Sequence, residues 1–276
     1  MDQITPQRQP VICVVAVLKS GTTWFGTMLS RMQDTVNLGE VWASLYTNPE
    51  EFSHPRNRCT CGALMSECDF WGPVVDQTHS SDTNAQRHAR VLEHFREKFP
   101  GKVLLDSSKS VDILGDSWLA PELADKVDVK FIFLVRDYRA WAISRKKSHN
   151  RKGRPRPLYV QILRWWLRNI KRDRYLQRCG RPVLTLTYES VVFDTEKTMQ
   201  KVMAFTGLQQ VEAQQTVEDL SLHISRGNHV RDDLNNFSQI RYDHSWTLDK
   251  RLLWLSILLL PMQKFWKSVN QRASSD

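Results

Sequence analysis

No apolar stretch in the 276-residue chain approaches the roughly 20 residues that span a bilayer. The strongest, Leu252 to Leu260, is cut off by Pro261, Gln263 and Lys264, which predicts a buried or partner-covered helix and leaves only peripheral membrane association open. Cysteine is scarce and odd in number, five in all, so a fully paired disulfide framework is not expected. Three of the five cluster as Cys59-x-Cys61-Gly62 with Cys68 following, without the paired Cys-x-x-Cys spacing of common zinc sites. Zinc there would need a fourth ligand, for which His54 and His79 are the nearby candidates, and no metal is expected. The segment, about residues 54–72, reads as an inserted loop plugged by Phe70 and Trp71. Acid is in deficit as well. With 39 Lys plus Arg against 30 Asp plus Glu, the charge of +9 favours anionic partners such as nucleotides, polyanionic substrates, nucleic acid or an acidic membrane surface. Internal repeats and low-complexity tails are absent, and the length with 41% hydrophobic content suits one domain over 1–276. The polar stretch Met1 to Pro10 leaves no room for a signal peptide before the first strand, so a cytoplasmic protein is expected.

What is present is a series of buried strands. Val11 to Val17, Lys102 to Leu105, Val129 to Val135 and Pro182 to Thr187 are continuous apolar runs of the kind found in parallel strands covered on both faces. Helical stripes alternate with them: Trp24, Phe25, Met28, Leu29 and Met32; Val91, Leu92, Phe95 and Phe99; Leu158, Ile162, Trp165, Trp166 and Ile170. Strand–helix alternation predicts an α/β fold with a central parallel sheet flanked by helices. A polar cluster comes after each strand: Lys19 to Trp24, Asp106-Ser107-Ser108-Lys109, Arg136-Asp137 and Tyr188-Glu189. Open parallel sheets bind ligands beyond the carboxyl ends of their strands, so these four clusters are expected to converge. Between Arg145 and Pro157 lies a run with seven cationic side chains and no acid, read as a basic loop from Gly153, Pro155 and Pro157. It is either a solvated connector or a mobile lid or anion funnel over the crevice.

The first cluster sharpens the chemistry. A small, hydroxyl-rich, cationic turn between strand and helix offers backbone N–H groups to an anion. A Walker A loop needs Lys after its last Gly, whereas here Lys19 precedes Gly21, which counts against a nucleotide kinase. Lys19-Ser20-Gly21-Thr22-Thr23-Trp24 instead resembles the 5′-phosphosulfate loop of sulfotransferases, which use 3′-phosphoadenosine 5′-phosphosulfate (PAPS). The same family carries an Arg followed eight positions on by a Ser, and here Ser144 follows Arg136 at that spacing. Thr187-Tyr188-Glu189, Phe205-Thr206-Gly207-Leu208 and Ser225-Arg226-Gly227-Asn228 resemble its later motifs, so the likeness runs from about Val11 to Arg231.

The resemblance implies the sulfotransferase version of the P-loop nucleotide-kinase fold and a PAPS site. Lys19 would stabilise the leaving phosphate, with Ser20, Gly21, Thr22 and Thr23 on the 5′ group. Trp24 would stack the adenine, unless it is a core residue, and Tyr188 would lie in the donor site. Arg136 and Ser144 would hold the 3′-phosphate, closed over by Arg226 and Gly227; a guanidinium fork suits that phosphate. No metal is required, and 3′,5′-diphosphoadenosine would be the product. Glu40 lies 21 positions after Lys19 in Gly39-Glu40, the spacing at which tyrosylprotein sulfotransferases carry their base, although a lone Glu is often a surface or capping residue. Asp106-Ser107-Ser108-Lys109 departs from the Lys-x-His of cytosolic members, which favours a carboxylate base assisted by Lys109, with capping of the next turn as the other role open to Asp106 and Ser107. The Cys-x-Cys-Gly loop with Cys68-Asp69-Phe70-Trp71 resembles bacterial and carbohydrate-type members. His223 is a second base candidate, and Trp165, Trp166 and Asn169 are candidates for the acceptor side or for core. The expected acceptor is a glycan, glycolipid or small-molecule hydroxyl, with no nucleic-acid partner. A basic nucleic-acid-binding module is the rival from another class.

Overall fold

The computed structural model describes residues 8–46, 49–55, 57–111, 116–211, 220–226 and 242–275. Its centre is a five-stranded parallel sheet of β1 (Gln9–Val15), β2 (Thr35–Asn37), β3 (Val103–Asp106), β4 (Val127–Val135) and β5 (Val183–Thr187), in the order β2-β3-β1-β4-β5. The four apolar runs are the four longer strands. β2 is not evident from sequence, because its three residues, Thr35-Val36-Asn37, are too few to show a pattern.

Side chains alternate between two buried layers, as period-2 geometry requires. Val11, Cys13 and Val15 of β1 join Phe131, Phe133 and Val135 of β4 in one layer, and Ile12 and Val14 join Ile132 and Leu134 in the other. The helices covering them are α1 (Thr22–Leu29), α2 (Val41–Leu45), α3 (Trp71–Asp76), α4 (Asn84–Lys98), α5 (Tyr138–Arg151), α6 (Leu158–Leu176), α7 (Tyr188–Phe193), α8 (Thr195–Thr206), α9 (Lys250–Leu258) and α10 (Leu260–Ser275). α4 starts on a capping box, Thr83 with Gln86, and α8 stops at Gly207, whose φ of 81° ends the helix in the left-handed region.

Two expectations change. The basic run is not a loop throughout: α5 carries Arg145 to Arg151 as helix and only then gives way to the connector. Gly153, Pro155 and Pro157 all sit in the second half of the run, so nothing breaks the helix before them. The apolar Leu252–Leu260 stretch falls across α9 and α10, with Leu252 buried but Trp254, Ile257 and Leu260 exposed. No described helix is long and apolar enough to cross a membrane.

Phe131 is fully buried in the interior strand β4, flanked by Cys13 of β1 and Val183 of β5. Phe131→Ala is expected to cost about 3–5 kcal/mol of stability, measured by urea unfolding.

Candidate functional site

At the carboxyl ends of the strands a cleft of about 390 Å³ is lined by Leu18, Lys19, Gly21, Thr22, Thr23, Trp24, Glu40, Lys109, Arg136, Ser144, Arg151 and Tyr188. The four strand-end clusters therefore meet, as the topology of an open parallel sheet predicts. Ser20 is not at the surface of the cleft; it is fully buried, and its Oγ has no hydrogen-bond partner among the described residues. Gly227 lies outside the described residues. Arg226 is described but does not line the cleft, and its guanidinium lies 3.2 Å from Glu51.

The loop geometry is held by contacts between strand ends. Lys19 and Lys109 both adopt left-handed backbone conformations, with φ of 73° and 60°. Such conformations cost a side-chain-bearing residue about 1–3 kcal/mol. In each case an arginine holds the carbonyl: Arg136 donates to Lys19 O at 3.2 Å and Arg172 Nε to Lys109 O at 2.9 Å. Arg172 Nε also reaches Ala16 O at 3.2 Å. Indole donors complete the frame, Trp141 Nε1 to Leu18 O at 2.7 Å and Trp165 Nε1 to Arg136 O at 2.9 Å. Arg136 in turn lies over the Tyr188 ring, 4.8 Å from its centroid, and that ring packs where a Cβ on Gly21 would stand. With φ of 89° as well, position 21 accepts only glycine without strain.

The charged groups form two sets. Glu40 is the N-cap residue of α2, yet its carboxylate does not cap the helix; it pairs with the Lys109 ammonium, both side chains being largely buried. The capping alternative for Glu40 is thus not what the structure uses. Lys19 has its ammonium pushed below the ordinary lysine range, by burial first and then by the cations Arg151, Arg145, Lys109 and Lys152. The helical half of the basic run thus brings Arg151 into the wall of this cleft, with Arg145 and Lys152 acting on Lys19 by charge.

Two buried acids serve the backbone. Asp106 accepts from Ser108 N at 2.8 Å, Ser108 Oγ at 2.5 Å, Trp118 Nε1 at 2.7 Å and Val41 N at 3.3 Å, which ties the end of β3 to the start of α2 beside Glu40. Burial lifts its pKa to about 6. Glu189 accepts the Asp137 N–H on both oxygens at 3.2 Å and the Tyr242 hydroxyl at 3.2 Å, and burial, then Asp137, lifts its pKa to about 7.

Several expected roles move. Trp165 and Asn169 are fully buried and, like Trp166, do not line the cleft, so the α6 stripe is core there. His223 is not in the cleft; its ring faces Cys59 and Cys68. The histidine beside the cysteines is thus neither His54 nor His79. Arg172 and Trp141 carry no signal in the motifs, and on the sequence Arg172 looks like one more solvated cation on a basic helix, whereas Arg151 belongs to the basic run.

The sequence matches the family model described as sulfotransferase domain over residues 9–251. Among solved structures, the fold is similar to the sulfotransferase domain from the curacin biosynthetic pathway, with a TM-score of 0.53 and 17% identity, covering 87% of this chain and 89% of that one. It is similar also to the sulfotransferase domain from the Synechococcus PCC 7002 olefin synthase, with a TM-score of 0.53 and 18% identity, covering 94% of this chain and 96% of that one. No curated protein matches in sequence.

Glu189 yields a pH prediction. Its ordinary value of 4.5 is raised to about 7, so the folded protein holds the proton more tightly than the unfolded chain. Its contribution to stability is full below the lower value and is lost as pH rises through the upper one. The unfolding free energy of the wild type, relative to Glu189→Gln, should therefore fall between about pH 4 and pH 7, as urea titrations across that range would show.

Proposed function

The chain belongs to the sulfotransferase domain family, and we propose that it transfers a sulfuryl group from PAPS to the hydroxyl of a glycan, glycolipid or small-molecule acceptor. One observation carries this reading: Lys19, Lys109, Arg136, Ser144 and Glu40 line a single cleft at the strand ends. The donor's fit rests on a feature of the same cleft. Arg136 is buried there, and its Nε has no hydrogen-bond partner among the described residues. An unpaired buried donor is costly, and a phosphate oxygen would satisfy it.

In this reading Arg136 and Ser144 hold the 3′-phosphate, and the Lys19–Thr23 turn, with its backbone N–H groups and the Thr22 and Thr23 hydroxyls, holds the 5′ group. Trp24 offers a face to the base. PAPS supplies an electrophilic sulfur whose transfer leaves negative charge on the bridging phosphate oxygen. Lys19 stands where that charge develops, and a cation fixed there is worth most in the transition state. Its neighbours Arg151, Arg145, Lys109 and Lys152 already make its charge costly, so an incoming polyanion relieves repulsion as it binds.

Glu40 takes the proton of the acceptor hydroxyl, and Lys109 keeps the carboxylate pointed into the cleft while offering its ammonium to the sulfuryl oxygens. The acceptor lies on the Glu40–Lys109 side, opposite the Arg136–Tyr188 stack.

Saturating 3′,5′-diphosphoadenosine should raise the Tm by several degrees, and Arg136→Ala should remove most of that shift. With PAPS as donor, Lys19→Ala should lower kcat about 10²–10³-fold with a smaller loss of donor affinity. Glu40→Gln should lower turnover about 10²–10⁴-fold with donor binding intact, measured by calorimetry. Wild-type turnover in the Glu40 variant would remove it as the base.

A further inference from the structure

The cysteine insertion is not closed by its own residues. Cys59, Cys61 and Cys68 meet His223, which comes from a segment 155 positions beyond Cys68. The three Sγ atoms and the histidine nitrogen all lie within 4.8 Å of one another. Cys61 Sγ and Cys68 Sγ are 3.7 Å apart, and His223 Nδ1 stands 3.4 Å from Cys68 Sγ and 3.9 Å from Cys59 Sγ. Tetrahedral zinc with bonds of about 2.3 Å to sulfur and about 2.05 Å to nitrogen needs S···S edges of about 3.8 Å and S···N edges of about 3.5 Å. Three of the six edges, at 3.7, 3.4 and 3.9 Å, are close to those values and far from an S–S bond, and none of the described cysteines is bridged.

The surroundings suit thiolates. Backbone N–H groups of Cys61, Ala63 and of Phe70 with Trp71 are directed at the sulfurs of Cys59, Cys61 and Cys68 respectively. The imidazole packs against both the Phe70 and Phe99 rings, at 5.6 Å and 5.7 Å, with its Nδ1 on the side of the sulfurs. The Asp69 carboxylate stands 3.7 Å from the same nitrogen and is itself paired with Lys98 at 2.7 Å. Hydrogen bonds that use none of the four cysteine and histidine side chains clamp the two segments together: Thr60 N to Ile224 O at 3.2 Å, Thr60 Oγ1 to Leu222 O at 2.9 Å, and Trp71 Nε1 to His223 O at 2.5 Å.

We propose that Cys59, Cys61, Cys68 and His223 form a structural zinc site that fastens the inserted loop to the 220–226 segment. On binding, three thiol protons leave to solvent and neutral imidazole completes the shell, so a Zn²⁺ site of this kind carries one net negative charge. All four positions are filled by protein, which makes the site structural rather than catalytic. The ligand types select zinc over calcium or magnesium, which require oxygen.

The place of the site gives it a consequence. His223 N bonds Asn37 O at 2.9 Å at the edge of the sheet, and Ile224 Cγ2 lies 2.7 Å from where a Cβ on Gly39 would be. Ser225 contacts Ser44 of α2. The clamped segment therefore backs the Gly39-Glu40 turn. An effect of metal on turnover rests on the proposed role of Glu40, whereas metal content and coordination do not.

The test is metal analysis of the full chain, purified without chelator from zinc-supplemented medium, by inductively coupled plasma mass spectrometry. About one zinc per chain is expected, falling to background in Cys61→Ala, whose exposed side chain is the mildest to remove. Cobalt replacement in the wild type should give the visible and near-ultraviolet bands of tetrahedral thiolate-bound Co²⁺, and chelation should lower the Tm. Wild-type protein that takes up neither zinc nor cobalt, or that carries a Cys61–Cys68 disulfide by intact mass under non-reducing conditions, would overturn the proposal.

Discussion

Two lysines held in left-handed backbone, each by an arginine on its carbonyl, are the constraint on which the cleft depends. Lys19 and Lys109 lie just past the ends of β1 and β3, and the bonds from Arg136 and Arg172 help offset the about 1–3 kcal/mol that each such conformation costs. The arginines are placed by larger elements. Arg136 directly follows β4, with its guanidinium over Tyr188 at the start of α7, while Arg172 is carried by α6 across the sheet to the Lys109 and Ala16 carbonyls. Sheet order brings β3, β1, β4 and β5 side by side, so the polar ends of four strands become one surface.

That surface concentrates positive charge in a partly desolvated space. Lys19 responds with a pKa below its ordinary value, and Arg151 and Lys152 reach it from the C-terminal end of the basic helix. Fixed cations gathered at cost and aimed into a cleft are a preorganised environment for a polyanion, which is the physical basis of the proposed donor site. The acids beside it divide their labour. Asp106 and Glu189 are spent on backbone N–H groups, and Glu40, alone of the three, lines the cleft.

Much of this was legible in the sequence because it is written locally. Continuous apolar runs mark buried parallel strands, and the polar residues just beyond each run are those the sheet presents at its carboxyl edge, so Lys19, Lys109, Arg136 and Tyr188 could be placed together before any coordinates. Glu40 was reached through spacing in a related family and not through local pattern. The features that escaped are of another kind. β2 is too short to show periodicity, the α5 extension through Arg151 carries no breaker but looks like a loop by charge, and Arg172 is one cation among many on α6. His223 is separated from the cysteines it faces by more of the chain than any spacing rule spans. Arg226, matched by motif, faces Glu51 instead of the cleft.

In the proposed function the strand-end cleft recognises a 3′-phosphorylated adenosine nucleotide through Arg136. The decisive measurement is calorimetric titration with 3′,5′-diphosphoadenosine and with adenosine 5′-phosphate, on wild type and on Arg136→Lys. The wild type should bind the diphosphate at least about tenfold more tightly, a difference of about 1.4 kcal/mol, and the lysine variant should lose most of that preference. Equal affinity of the wild type for the two nucleotides would contradict it.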